Sequence, residues 1–452
     1  MTARLRLPEL WWPALVVAAA AMLGVAAATR PLFTLAAVVA LGLAAVMVAD
    51  LTVGLCVFTL VSFVDVLPGG PALSAAKAVG LVLALTWIAT LATRDDERDD
   101  FFSAHPGAVY LLVLFFGWAA ISALWAESEV EALTTASRYG LNLLLFPIVY
   151  TAIRSQRHVI WVAAVFVAGA VLTTAFGVVV PQPTEEGRLA GAIGEANELA
   201  SVLVAALAVA IALAIASPRY SLLRSGAIAA SVISLGGILF TLSRSGLLSL
   251  AVVLIAGLFV AGKWRGRALL VVAVAAIGAL LYVAAFTTPY ERSRLTRVEG
   301  GAGRIDLWRV GWRMVEDKPV TGVGGGNYQL VSPRYLLTEP GAIVRDDFIL
   351  ERPKQTHNIY LQTLAELGIP GLALLLSVIG FALACMMRAA RIFQASGNGA
   401  LRALTLAFLL ASVGLLASDF FQSEQYSKQL WLVLALGPAL LGLAVRGREQ
   451  PG

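Results

Sequence analysis

Between Ala196 and Ala216 the chain reads ANELASVLVAALAVAIALAIA. From Leu199 onward this stretch holds eighteen consecutive residues without a charge. A helix rising about 1.5 Å per residue carries such a run across about 27 Å, close to the hydrocarbon thickness of a bilayer. Comparable runs recur along the chain, which has 452 residues, 59% of them apolar and only 13% charged. An ordinary soluble protein is about a quarter charged, so the polar surface is too small to coat a water-soluble globule. The mean hydropathy of +0.83 agrees. This composition excludes a soluble enzyme, a disordered chain and a DNA-binding module. Alternating β-barrel segments are absent from the sequence, so the spans are helical. The expectation is an all-α, polytopic transmembrane helix bundle.

Apolar runs and their charged breaks give twelve to fourteen spans: 10–28, 31–49, 51–67, 73–92, 107–125, 139–153, 158–180, 196–216, 222–242, 245–262, 268–286, 358–387, 402–419 and 429–445. The pieces across 31–67 also read as one kinked or re-entrant pair. Met1–Arg6 is basic, but Leu10–Ala28 is long enough to span, so it reads as the first span and not as a cleavable signal. Cys56 and Cys385 lie inside apolar runs and read as packing residues. The chain divides into N-terminal transmembrane helices (1–286), a long loop (287–356) and C-terminal transmembrane helices (357–452), all within one integrated membrane domain.

The basic residues orient these spans. One set of short connections carries sixteen Lys/Arg, among them Arg94, Arg154, Arg219, Arg388, Arg402 and Arg446, and the other set carries six. The richer side is read as cytoplasmic, together with both termini. The long loop then lies outside; its 70 residues hold eleven Lys/Arg and nine Asp/Glu, and a loop of that length escapes the charge rule. Within it Ile305, Trp308, Trp312 and Val315 form a stripe at helical spacing. That stripe suits a helix lying on the membrane surface, or a small helix packed on the bundle.

Four polar positions fall on the outer side: Arg188, Arg244, Arg304 and His357. A guanidinium is permanently charged, and its planar fork matches phosphate oxygens bidentately. Several of them around an outward cavity suit a phosphate or pyrophosphate. Arg244 interrupts two apolar runs with almost no loop, where an arginine needs a partner or snorkels to the headgroups. His357 opens a long apolar helix. The helix dipole there favours the neutral imidazole that a general base requires, although a satisfied structural histidine is the alternative. Asn358, Gln362 and Glu366 recur every four residues and predict a polar stripe along a wet cavity; Asn197 and Tyr360 are further candidates for lining it. Asp65, Glu195, Glu198 and Asp419 sit near outer span ends. Gly322–Asn327 reads as a tight turn, lacking the strand–turn–helix context of a phosphate loop. The acidic run Asp95, Asp96, Glu97, Asp99 and Asp100 reads as a solvated loop. No cluster has metal-ligand spacing, so neither a metal nor another cofactor is expected.

Over roughly 185–375 the chain resembles the O-antigen ligase and O-antigen polymerase family of bacterial membrane glycosyltransferases. The resemblance is carried by Arg188-Leu-Ala-Gly with Asn197-Glu-Leu-Ala, and by Leu242-Ser-Arg-Ser-Gly246. It continues in Gly303-Arg-Ile-Asp-Leu-Trp308 with Pro319-Val-Thr-Gly-Val-Gly324, and in His357-Asn-Ile-Tyr-Leu-Gln362 with Glu366-Leu-Gly368. It implies a GT-C-like fold and inverting, metal-independent transfer of a glycan from an undecaprenyl diphosphate carrier. The acceptor is a sugar hydroxyl at the outer face of the bacterial inner membrane. In this reading Arg244, Arg304 and Arg188 hold the diphosphate and His357 activates the acceptor. The partners are then the lipid-linked donor, a glycan or glycolipid acceptor as in lipopolysaccharide biosynthesis, and membrane lipids, with no nucleic acid. A ligase adds its glycan to a separate acceptor, whereas a polymerase joins carrier-linked repeats. A lipid-linked glycan transporter or flippase is the rival from another class, although no internal repeat of the kind common in transporters is evident.

Overall fold

A computed structural model describes residues 42–64, 75–93, 100–181, 188–262, 303–336, 347–351 and 353–449, with Arg265, Gly266, Leu269 and Gly278 in addition. The expected span 10–28, nearly all of 268–286, most of 31–49, and Asp65, Asp95, Asp96, Glu97 and Asp99 lie outside the described residues. Among the described residues the regular elements are all helical. The principal ones are α1 (Leu51–Val61), α2 (Ala75–Thr93), α3 (Pro106–Ile121), α4 (Glu129–Leu143), α5 (Leu145–Ala152), α6 (Gln156–Val179), α7 (Ala196–Ala216) and α8 (Leu222–Phe240). They continue with α9 (Arg244–Val260), α10 (Arg304–Asp317), α11 (Tyr328–Leu336), α12 (Ile359–Ala395), α13 (Gly399–Ser418) and α14 (Lys428–Glu449). Eight of them, α2, α3, α6, α7, α8, α12, α13 and α14, are long and apolar enough to cross a membrane, and α1 and α9 are shorter apolar helices. The chain is a multi-pass helical membrane protein.

Helices α7 and α14 are mostly buried, whereas most of α2 and α8 faces outward. Lipid is as apolar as leucine, so close packing between helices depends on small side chains. Gly246 of α9 lies against α7, where an added Cβ would stand 2.5 Å from Ala200 Cβ. Gly437 of α14 meets the backbone of α12 in the same way, 2.4 Å from the Ala382 carbonyl oxygen.

Two expected segments come out differently. The span 139–153 is not a single helix. Instead α4 begins at Glu129, capped by Ser128, and the helical run is interrupted at Leu144 before the fully buried α5. The polar first turns of α4 hid its start from a hydropathy reading. Asp50 accounts for the break inside 31–67, because its Oδ1 accepts the Thr52 and Val53 amides and so caps α1.

The stripe on α10 is also displaced. Ile305 and Trp312 are 44% and 54% exposed, while Leu307, Val310, Met314 and Val315 are buried. These four form a second apolar core with Val323, Tyr328, Val331 and Ala365. Gly311, which shares their face, lets α10 approach Leu361 of α12. The helix therefore packs on the bundle through a face rotated from the one its tryptophans suggest.

Residues 319–327 clasp this unit to a break in α12. Gly368 has φ +67 and ψ −173 inside the helix, and Pro370 follows in the first turn of the continuing part, where its missing amide costs nothing. The Ile369 amide donates to the Pro319 carbonyl at 2.8 Å, and the Val323 and Gly324 amides donate to the Ala365 and Glu366 carbonyls at 2.9 Å. Trp118 and Trp125 donate their indole N–H groups to the Leu367 and Thr321 carbonyls. A Cβ on Gly368 would lie 2.0 Å from the Val320 carbonyl oxygen. Gly368→Ala is therefore expected to cost more than the ~1–3 kcal/mol of positive-φ backbone strain alone. Gly380→Ala, in the same helix with nothing within 4 Å, is expected to leave stability unchanged; thermal unfolding in detergent distinguishes the two.

Candidate active site

The start of α7, the turn between α8 and α9, the start of α10, the start of α12 and the connection between α13 and α14 meet at one end of the bundle. In the α8–α9 turn Leu242 takes φ +49, which reverses the chain within three residues. Ser243 then caps α9, accepting the Gly246 amide at 3.2 Å. Arg244 is thus the first residue of a helix, at the positive end of the dipole, where a cation is disfavoured and an anion welcome.

Arg188 is fastened to the same turn. Its Nε donates to the Thr241 carbonyl and its Nη2 to Asn197 Oδ1, both at 2.8 Å. Asn197 Oδ1 also accepts the Ser243 hydroxyl at 2.9 Å. Gln422 Nε2 donates to the Asn197 carbonyl at 3.2 Å and to the Ser418 hydroxyl. Asn197, expected to line a cavity, is half-buried and ties two arginine-bearing segments together.

Arg304 opens α10 directly after Gly303, which has φ +81. Burial, then the nearby Arg244 and Arg188, hold its guanidinium below its ordinary pKa. Among the described residues no carboxylate pairs with it. Three guanidiniums thus share one field at the starts of two helices.

His357 sits beside them with φ +51. Its amide donates to the Ser423 hydroxyl at 2.9 Å, and the preceding Thr356 carbonyl accepts the Trp308 indole N–H at 2.9 Å. Burial first, then Arg304 and Lys354, push its imidazole down to about 4. It is therefore neutral at neutral pH. The structure brings Arg188, Arg244, Arg304 and His357 to one place, although they lie far apart in sequence.

The stripe behind His357 serves another purpose than the expected wet cavity. Asn358 is buried and caps α12, its Oδ1 accepting the Tyr360 and Leu361 amides at 3.0 Å. Tyr360 donates its hydroxyl to the Leu416 carbonyl. Gln362 and Glu366 are each 3% exposed. Gln362 Nε2 donates to Glu366 Oε1 at 3.1 Å, and the Gly326 amide donates to Glu366 Oε2 at 2.9 Å. The stripe faces the glycine-rich turn and not water. Asp419 is buried as well, its carbonyl accepting the Ile359 amide, whereas Glu195 is exposed.

Sequence reasoning passed over Gln422 and Ser423, which brace Asn197 and His357. Their signal was the polar run Ser418–Gln425 between two apolar stretches. Among the described residues no three His, Cys, Asp or Glu side chains gather in a way that would hold a metal ion.

A family model described as O-antigen ligase matches residues 229–376. The matched segment contains Arg244, Arg304 and His357, while Arg188 precedes it. No curated protein matches the chain at a significant level.

The depressed pKa has a consequence for stability. An unfolded histidine titrates near 6.5, so below that pH the unfolded chain binds a proton that folded His357 refuses. Stability at this residue is then complete above about pH 6.5 and falls as the pH drops toward 4, by on the order of 3 kcal/mol. His357→Asn, which tolerates the left-handed backbone, is expected to flatten that part of the melting temperature–pH profile.

Proposed function

We propose that this chain, whose segment 229–376 matches the family model described as O-antigen ligase, transfers a glycan from a polyprenyl diphosphate carrier to a sugar hydroxyl. The observation that carries this reading is the shared field of Arg188, Arg244 and Arg304 beside a neutral His357. A family of lipid-linked glycan and acceptor substrates supplies the anion that such a field calls for. The carrier is undecaprenyl diphosphate in this proposal, and the reaction takes place at the outer face of a bacterial inner membrane, with both termini cytoplasmic.

In the reaction the acceptor hydroxyl gives its proton to the His357 imidazole, and its oxygen attacks the anomeric carbon. The bond from that carbon to the diphosphate oxygen breaks on the opposite face, so the configuration inverts. The guanidiniums meet the charge that grows on the leaving diphosphate, a task for which fixed donors are worth about 10²–10³ in rate each. Three such cations supply the countercharge without a metal.

An imidazole titrating near 4 is a weak base. Its Arg304-derived depression is offset once an anion occupies the guanidiniums, because the anion cancels the field that disfavours imidazolium. Proton acceptance thus strengthens when the donor is bound.

In proteoliposomes supplied with carrier-linked glycan, Arg244→Ala and Arg304→Ala are each expected to slow transfer about 10²–10³-fold. His357→Asn is expected to cost about 10²–10⁴-fold, and EDTA nothing. Loss in Arg244→Ala with full retention in His357→Asn would remove the base assignment. A wild-type rate in all three folded variants would remove the site. Product length separates the two acceptor classes: one addition to a separate acceptor marks a ligase, and a ladder of repeats from the donor alone marks a polymerase.

A further inference from the structure

At the opposite end of α12, about 40 Å along the helix from His357, lies a cavity of about 580 Å³. That volume is in the range of small-molecule sites, about 300–1,000 Å³. Phe381, Ala384, Leu441 and Val445 form its apolar wall, and His105, Arg388 and Arg446 supply the polar groups. Among the described residues no acidic side chain lines it.

The two arginines come from different helices, and their placements differ. Arg446 Nη2 donates to the Ile153 carbonyl at 3.1 Å, and its guanidinium lies 5.6 Å from the Tyr150 ring centroid. It is held in place and aimed into the cavity wall. Arg388 is exposed and has neither a hydrogen bond nor an ion pair among the described residues. Asp100, the nearest described carboxylate in sequence to His105, is occupied in capping the turn 101–104, accepting the Ser103 amide at 2.7 Å and hydroxyl at 2.6 Å. His105 donates to the Pro438 carbonyl, and its Nε2 is buried without a partner.

This combination is amphiphilic in a particular order. Two cations line the cavity at the helix ends, and an apolar wall runs from them along the bundle. Ala384 and Val445 are exposed, so the wall opens on the outer surface of the bundle, where lipid chains lie. Basic pockets between transmembrane helices recognise anionic headgroups in this way.

We propose that the cavity binds the phosphate of an anionic membrane phospholipid between Arg388 and Arg446, with the acyl chains along Phe381, Ala384, Leu441 and Val445. The shared chemistry is a phosphate anion, and the apolar wall selects the lipid over free phosphate. This site does not depend on the glycan-transfer reading, and neither arginine belongs to the candidate active site.

The test is native mass spectrometry of the full chain in a neutral detergent, titrated with phosphatidylglycerol, phosphatidylcholine or inorganic phosphate. One phosphatidylglycerol is expected to be retained well below the concentration at which phosphatidylcholine binds, with inorganic phosphate failing to displace it at millimolar levels. Arg388→Gln is expected to weaken the phosphatidylglycerol adduct about fivefold, and the Arg388→Gln/Arg446→Gln pair more. Arg448→Gln, at the same end but outside the cavity, is expected to leave it unchanged. Because Arg446 also supports the Ile153 carbonyl, Arg388→Gln alone decides if the double variant does not fold. Equal retention of the two lipids would overturn the proposal, as would equal weakening by Arg448→Gln, or displacement by inorganic phosphate.

Discussion

The break in α12 at Gly368 is the constraint on which the rest of this architecture depends. An uninterrupted helix would keep its amides and carbonyls to itself. The break frees the Ile369 amide and exposes the Ala365 and Glu366 carbonyls, and the segment 319–324 takes all three. Through those bonds a unit outside the bundle is fixed to the helix that begins just after His357. Arg304 belongs to that unit, so its position relative to His357 is set by backbone hydrogen bonds and not by its own side-chain contacts. Glu366 reinforces the junction by accepting the Gly326 amide. Buried polar groups are retained where they are fully paired, and this carboxylate is paired from both sides.

A second constraint is electrostatic and works against stability. Arg188, Arg244 and Arg304 repel one another, two of them at the unfavourable end of a helix dipole. The fold tolerates this because Asn197, the Thr241 carbonyl and the bracing Gln422 hold the segments in place. An anion at the guanidiniums would relieve the repulsion and the part of the His357 depression that Arg304 causes. Preorganised charge of this kind is costly in the empty protein and useful when a charged leaving group develops.

Much of the fold was legible from hydropathy. The expected span 196–216 coincides with α7, and the late spans 358–387, 402–419 and 429–445 match α12, α13 and α14, overrunning them by no more than a cap residue. The failures share a cause. The start of α4 carries Glu129 and Glu131, and hydropathy alone places such residues in a loop. On α10 the aromatic residues drew the eye to Ile305, Trp308 and Trp312, yet Gly311 and Val310 give the face that packs closely. Of the stripe Asn358, Gln362, Glu366, the last two share a polar face and bond to each other, while Asn358 caps the helix. The partner of that face was misjudged, because a buried polar face and a wetted one have the same sequence.

The sequence by itself determined that this chain spans a membrane many times and which polar residues are out of place among apolar runs. Those properties follow from composition and local spacing, each read within a window of about twenty residues. Only the tertiary structure decided that Arg188, Arg244, Arg304 and His357 share one corner, that Glu366 serves a clasp, and that Arg388 and Arg446 line one cavity. Each of these is a relation between segments far apart in the chain. Such relations depend on how close two helices approach, on where a helix breaks, and on which backbone groups are left to pair, and no local window contains both partners.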